Sequence, residues 1–142
     1  MSELKRFLEA QAPVIEQVLH ELRSGRKRSH WMWFVFPQIA GLGQSPTART
    51  YAIADLSEAQ SYLAHPVLGA RLKHCAKLVN DIAGRSAYDI FSTPDDLKFC
   101  SSMTLFSLAA PDEPLFAEAL QKYFANRPDP LTFALLGQTP PG

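Results

Sequence analysis

The chemistry of this sequence is concentrated in residues 27–45, where Lys27-Arg28-Ser29-His30 runs into Trp31-Met32-Trp33-Phe34-Val35-Phe36-Pro37-Gln38, followed by Gly41-Leu42-Gly43 and Ser45. Histidine is the side chain whose ordinary charge change falls near neutrality, so His30 fits a general acid or base if an acid such as Asp96 or Asp95 partners it. Trp31 and Trp33 offer flat rings for stacking, and each carries an indole N–H that needs a partner when buried. They stand two apart, so a strand would put both on one face and a helix would splay them. Gln38 presents both donor and acceptor, which suits a base edge or a ribose hydroxyl. Lys27, flanked by Arg26 and Arg28, supplies positive charge, and Gly43 and Ser45 let backbone N–H groups approach a phosphate. The Gly-x-Gly-x-Ser spacing matches neither the Walker loop nor the dinucleotide fingerprint.

A second group lies in Asp96, Lys98, Ser101, Ser102 and Thr104. On a helix, Lys98, Ser101 and Ser102 share a face with Asp96 a turn above, and Thr104 adjoins Ser101. Hydroxyls in mid-helix are poor helix formers, so this face suits a polar wall opposite the aromatic floor. A serine nucleophile is not indicated, because neither Gly-x-Ser-x-Gly nor Ser-x-x-Lys is present. Arg71 is placed to reach a phosphate or an acid. The four histidines, His20, His30, His65 and His74, lack metal-ligand spacing, so neither a metal site nor a cofactor is expected. Ordinary packing accounts for many of the same residues: buried aromatics fill cores, a glutamine at a turn satisfies backbone, and a basic run suits a helix C-terminus.

The positioning elements follow from pattern. Residues 3–23 read as helix, with Leu4, Phe7, Leu8, Val14, Ile15, Val18, Leu19 and Leu22 inside, broken or kinked at Pro13, and with Glu16, Gln17, Glu21 and Arg23 toward water. Trp31–Phe36 is expected to be a short helix capped by Ser29 that unwinds at Phe36-Pro37-Gln38. Residues 41–50 read as loop. Ser57 and Gln60 have capping-box spacing for a helix through Leu63, and Pro66 opens the next, which Gly84 stops. After a short turn at 86–91, Thr93-Pro94-Asp95-Asp96 is the clearest helix start, leading to about Leu108. Pro111-Asp112-Glu113-Pro114 and Asp129-Pro130 begin the last two helices, the second ending at Gly137. The expected architecture is mainly α: one compact, bundle-like domain over 1–142, ordered from about 3 to 137, with an irregular aromatic segment after the first helical region and a disordered tail at 138–142.

Composition narrows the function classes. With 142 residues, 46% hydrophobic and 20% charged, the chain can bury a core without staples. Lys+Arg and Asp+Glu are both 14, so no overall field favours a nucleic-acid polymer or an anionic membrane. Cys75 and Cys100 lie in apolar patterns without Cys-x-x-Cys spacing and read as reduced residues. The first residues are too charged for a signal peptide and no apolar run reaches the ~20 residues of a membrane span, so the cytoplasm is the expected location.

Lys27, Ser29–Gln38, Gly41-Leu42-Gly43 and Ser45 resemble the signature of the DUF1810 family of bacterial proteins of unknown function. His65-Pro66-Val67-Leu68-Gly69-Ala70-Arg71-Leu72, Asp96-Leu97-Lys98 and Ser101-Ser102-Met103-Thr104-Leu105-Phe106 resemble its later motifs. The resemblance runs from about residue 4 to 136 and implies no established activity. In fold class and size alone the chain is also similar to the NADAR family, which processes ADP-ribose-linked nucleotides. Two functions therefore stand. One is a domain binding a nucleotide-like or ADP-ribose-like small molecule, able to hydrolyse an N-glycosidic bond. In it Trp31 or Trp33 stacks on the base, Lys27 and Arg71 hold phosphates, and His30 with Asp96 handles protons. The other is a non-catalytic module that binds a protein or peptide in an aromatic groove.

Overall fold

The computed structural model describes residues 4–139, which form ten helices with one of them at the centre. That helix, α8 (Asp95–Ala109), is apolar or small on every side beyond its charged first turn, and Phe99, Ser101, Ser102, Met103, Thr104, Leu105, Phe106 and Ala109 are all buried. A helix without a polar stripe must be surrounded. Here α5 (Leu56–Ala64), α7 (Ala87–Phe91), α9 (Pro114–Phe124) and α10 (Pro130–Leu135) pack against it. The amphipathic α6 (Leu68–Asn80) closes the far side against α2 (Ile15–Arg23), α5 and α9. Phe99 is the aromatic hub: its ring stacks on Phe91 at 4.8 Å and meets Phe36 edge-on at 5.0 Å. Each fully buried ring of this kind contributes roughly 1.5–3 kcal/mol through burial alone.

The expected break at Pro13 is present: α1 (Lys5–Gln11) stops before it and α2 resumes at Ile15. The aromatic segment is also helical, but only over α3 (Met32–Val35), ending at the Phe36-Pro37 step. Several local expectations are corrected. Ser29 does not cap α3; its hydroxyl donates to Glu21. The loop over 41–50 contains a helix, α4 (Pro46–Thr50), whose cap is Ser45. The α5 cap is Asp55 rather than Ser57. Its carboxylate accepts the Glu58 N–H at 2.8 Å, while Glu58 accepts the Ala54 N–H at 3.0 Å. Replacing Asp55 with Ala is expected to cost about 1 kcal/mol, read as a melting temperature lower by ~2–5 °C. His65 proves to be a backbone partner, its Nδ1 accepting the Val67 and Leu68 N–H groups as α6 begins. Pro94 stands at the N-cap of α8 behind a cis Thr93–Pro94 bond, and Thr93 makes no cap. The expected tail falls largely on 140–142, outside the described residues.

One short non-helical contact matters for function. Ile39 and Ile53 form an isolated parallel bridge, in which Ile53 N–H donates to the Gln38 carbonyl at 2.9 Å and Ala40 N–H donates to the Ile53 carbonyl at 2.8 Å. With Ile39 and Ile53 both buried, this pins the chain on either side of Gln38.

Candidate functional site

A cleft of about 410 Å³ opens between the 38–43 segment, the first two turns of α8 and the 128–131 segment that leads into α10. Its polar side chains are Gln38, Lys98, Ser101 and Asp129. Leu42, Leu97, Leu131 and three prolines form its apolar walls and rim. The volume lies in the range of small-molecule sites.

Each polar group is held by identifiable chemistry. Gln38 is fixed through its backbone by the Ile39–Ile53 bridge, while its side-chain amide makes no hydrogen bond among the described residues. Lys98 Nζ lies 3.7 Å from Asp95 Oδ1 and 5.3 Å from the Trp33 ring centroid. Asp95 is shared, because its Oδ2 also pairs with Lys27 Nζ at 2.9 Å. Two ammonium groups thus share the Asp95 carboxylate, and Asp129 brings a second carboxylate to the cleft, so among the described residues Lys98 is the only cation lining it and Asp129 the only acid. Asp129 Oδ2 accepts the Ser101 hydroxyl at 2.9 Å and the Thr132 hydroxyl at 2.6 Å. The Asp129 backbone N–H donates to Thr104 Oγ1 at 2.9 Å. The second oxygen, Oδ1, accepts nothing among the described residues, so Asp129 keeps acceptor capacity toward the cleft. Gly43 is required by packing: a Cβ there would come within 2.4 Å of the Ala48 Cβ, which would push α4 away.

The sequence candidates separate cleanly. Gln38, Gly43, Lys98 and Ser101 come together in the cleft. Trp33 is half-buried and adjoins it through Lys98. The others do not line it. Trp31 is 1% exposed, and its indole N–H donates to Glu21 Oε1 at 2.9 Å, which makes it core. Lys27 is occupied by Asp95 and the Ser29 carbonyl. Arg71 lies elsewhere and donates to Gln11 Oε1 at 3.4 Å. Ser45 is the α4 cap. Ser102 is fully buried, and Thr104 back-bonds to the Cys100 carbonyl at 2.8 Å. His30 is exposed outside the cleft, and Asp96 accepts only its neighbour's N–H, from Leu97 at 2.9 Å, so the two form no proton-handling pair here.

Two residues escaped sequence reasoning. Asp129 reads locally as a helix-starting Asp-Pro, and nothing in its spacing ties it to Ser101, 28 residues earlier. Glu21 was expected to face water but is 1% exposed. It is the anchor beneath the aromatic segment and accepts five hydrogen bonds: from the Gln17 amide, the Arg28 and Ser29 N–H groups, the Ser29 hydroxyl and the Trp31 indole. Burial alone would raise its pKa, but the bonds from Ser29, Arg28 and Gln17 outweigh that and bring it down to about 2.

Cys100 also lines the cleft, its thiol 3.7 Å from the Arg127 carbonyl. Burial, reinforced by the Asp129 charge, pushes the thiol up to about 11, so it is protonated near neutrality and a poor nucleophile. Ser101 has carboxylate and carbonyl partners but no imidazole or amine base. Covalent catalysis therefore has no assembled machinery at this site. Among the described residues no group of three or more His, Cys, Asp or Glu side chains is placed to hold a metal, and no helix is long and apolar enough to cross a membrane.

These features define a class: an all-α domain with a small cleft of mixed polarity beside the first turns of its central helix. The chain belongs to the family described as "Protein of unknown function (DUF1810)", whose model matches residues 1–136. It is similar to a solved structure, the conserved hypothetical protein Rv1873 from Mycobacterium tuberculosis. The two are 56% identical with a TM-score of 0.94, over 96% of this chain and 98% of that one. The chain matches no curated protein.

Proposed function

We propose that this chain binds a small nucleotide-like molecule in the cleft. The observation that carries the reading is the convergence of Gln38, Lys98, Ser101 and Asp129, contributed by three separate segments, on one volume. Lys98 suits a phosphate and Gln38, unpartnered, suits a base edge. The free oxygen of Asp129 suits a ribose hydroxyl, and the leucine and proline walls suit the apolar faces of the ligand. Trp33 lies under the Lys98 ammonium, so a phosphate that draws Lys98 forward uncovers a ring for stacking. If the same site cleaves an N-glycosidic bond, Asp129 rather than His30 or Asp96 is the group in place to activate water.

The test is a thermal-shift and tryptophan-fluorescence titration with nucleosides, nucleoside monophosphates, NAD and ADP-ribose, run on wild type and on Gln38→Ala, Lys98→Ala and Asp129→Asn. A true ligand at 100 times its dissociation constant stabilises by about 2.7 kcal/mol. Lys98→Ala is expected to weaken a phosphorylated ligand by ~10-fold or more and to leave the matching nucleoside nearly unaffected. A shift that survives all three substitutions, or none across the panel, overturns the reading. Leu97 and Leu131, each 61% exposed on the rim, favour a second reading as a docking site for an apolar peptide. Pull-down with a leucine-bearing peptide, lost on Leu97→Glu, would select it.

A further inference from the structure

A second cavity, of about 380 Å³, lies where the C-terminal ends of α2 and α6 meet and shares no residue with the cleft. Its floor is apolar (Leu22, Leu78 and Ile82), and its charged walls are Arg23, Arg85 and Asp81. Neither guanidinium forms an ion pair or hydrogen bond among the described residues; Asp89, whose carboxylate feels the Arg85 charge, accepts the Ser86 N–H in a capping box. Asp81 pairs with Lys77, one turn earlier on α6, at 2.7 Å. The helix ends do not consume the arginines either. At α2, the His20, Glu21 and Leu22 carbonyls accept the Ser24, Arg26 and Gly25 N–H groups. At α6, Lys122 Nζ donates to the Asn80 and Ile82 carbonyls, and the Tyr123 hydroxyl donates to Val79. With the carbonyls already capped, the partial negative charge of both helix ends is largely offset.

Arg85 is also positioned. Gly25 has φ of +80°, and a Cβ on it would sit 3.3 Å from Arg85 Nε and 3.5 Å from Cδ. The arginine lies across the bare backbone of the turn, and a larger residue at 25 would disturb both turn and arginine.

We propose that this cavity is a binding site for a phosphate monoester carrying an apolar or aromatic group. Two unpaired guanidiniums match a dianion, and their planar forks bond phosphate oxygens in pairs. The apolar floor takes the organic part. A simple carboxylate offers half the charge and binds more weakly; inorganic phosphate lacks the part that covers Leu22, Leu78 and Ile82.

The experiment is a backbone amide NMR titration of the full chain with phenyl phosphate, benzoate and inorganic phosphate. Expected are saturable shifts confined to the 23–26 and 82–86 amides, with phenyl phosphate binding tightest. Arg85→Ala is expected to weaken it by about tenfold, and Arg85→Lys, which keeps charge but loses the fork, by less. Arg85 is exposed, so both of its variants stay folded, and Lys98→Ala serves as a control that leaves this site unchanged. Absence of saturable shifts, equal binding of benzoate, shifts at the 98–101 amides instead, or indifference to Arg85→Ala overturns the proposal.

Discussion

Replacing Glu21 with Ala is expected to destabilise the protein by about 3–5 kcal/mol, among the largest effects of any polar substitution in the chain. The loss would strand the Trp31 indole N–H and the Arg28 and Ser29 N–H groups around a buried hole. Glu21→Gln should cost less, because a carbonyl oxygen at the same place still accepts those three donors. On the other branch its amide must face the Gln17 amide, a donor, and the Ser29 hydroxyl. The same carboxylate gives a pH signature. Its ordinary value of 4.5 falls to about 2 in the fold, so the folded state favours the charged form. The stabilisation, about 3 kcal/mol, is therefore complete above the unfolded pKa and drains away as pH drops from roughly 5 toward 2. Urea unfolding of wild type and Glu21→Gln at pH 7, 4 and 3 checks the sign: the gap between them must close on acidification. A gap that stays constant would show that the Glu21 charge is not what holds the aromatic segment.

Glu21 also shows where sequence reading runs out. The helical period in residues 15–23 reports which positions are apolar, and on that criterion a glutamate belongs outside. What buries it is the return of the chain at Arg28, Ser29 and Trp31, brought back by the turn at Gly25, and no local pattern encodes that return. The break at Pro13 and the unwinding at Phe36-Pro37 were legible because proline acts within its own turn. The buried helix α8 was legible in extent, from Asp95 to Ala109 against an expected end near Leu108, but its sides were not, since a helix enclosed on all sides carries no periodicity to read. Ser101 and Lys98 could be placed on one face by helical geometry alone. Asp129 could not, because its partnership with Ser101 depends on how α10 docks. The motif residues Lys27, Ser29 and Trp31 invite a ligand-binding reading because their types can do chemistry. In the fold they serve one another: Lys27 holds Asp95, and Ser29 and Trp31 hold Glu21. The part of the motif that reaches the cleft is its end, Gln38 and Gly43, with Trp33 touching it through Lys98.

Gly69→Ala tests the other tight element, the corner between α5 and α6, and its expected sign is the reverse of the usual one. Within a helix, alanine is normally better than glycine by up to ~1 kcal/mol. Here a Cβ on Gly69 would lie 2.1 Å from the Leu63 carbonyl oxygen and 2.9 Å from its carbon. These are backbone atoms of the preceding helix, not the movable end of a side chain. The corner has little room to open, because the His65 carbonyl accepts the Gly69 N–H at 2.9 Å while its ring nitrogen holds the Val67 and Leu68 N–H groups. Leu68, buried one residue earlier, would have to move with any relief. The expected loss is about 3 kcal/mol or more, at the upper end for overpacking because the obstacle is main chain. Ala70→Gly, in the same turn but exposed, supplies the comparison: it removes a good helix former from open surface and should cost no more than ~1 kcal/mol. Denaturant midpoints of the two variants decide the matter. A Gly69→Ala protein as stable as wild type would mean that the α5–α6 corner shifts freely, and that glycine is there for some reason other than contact between the two helices.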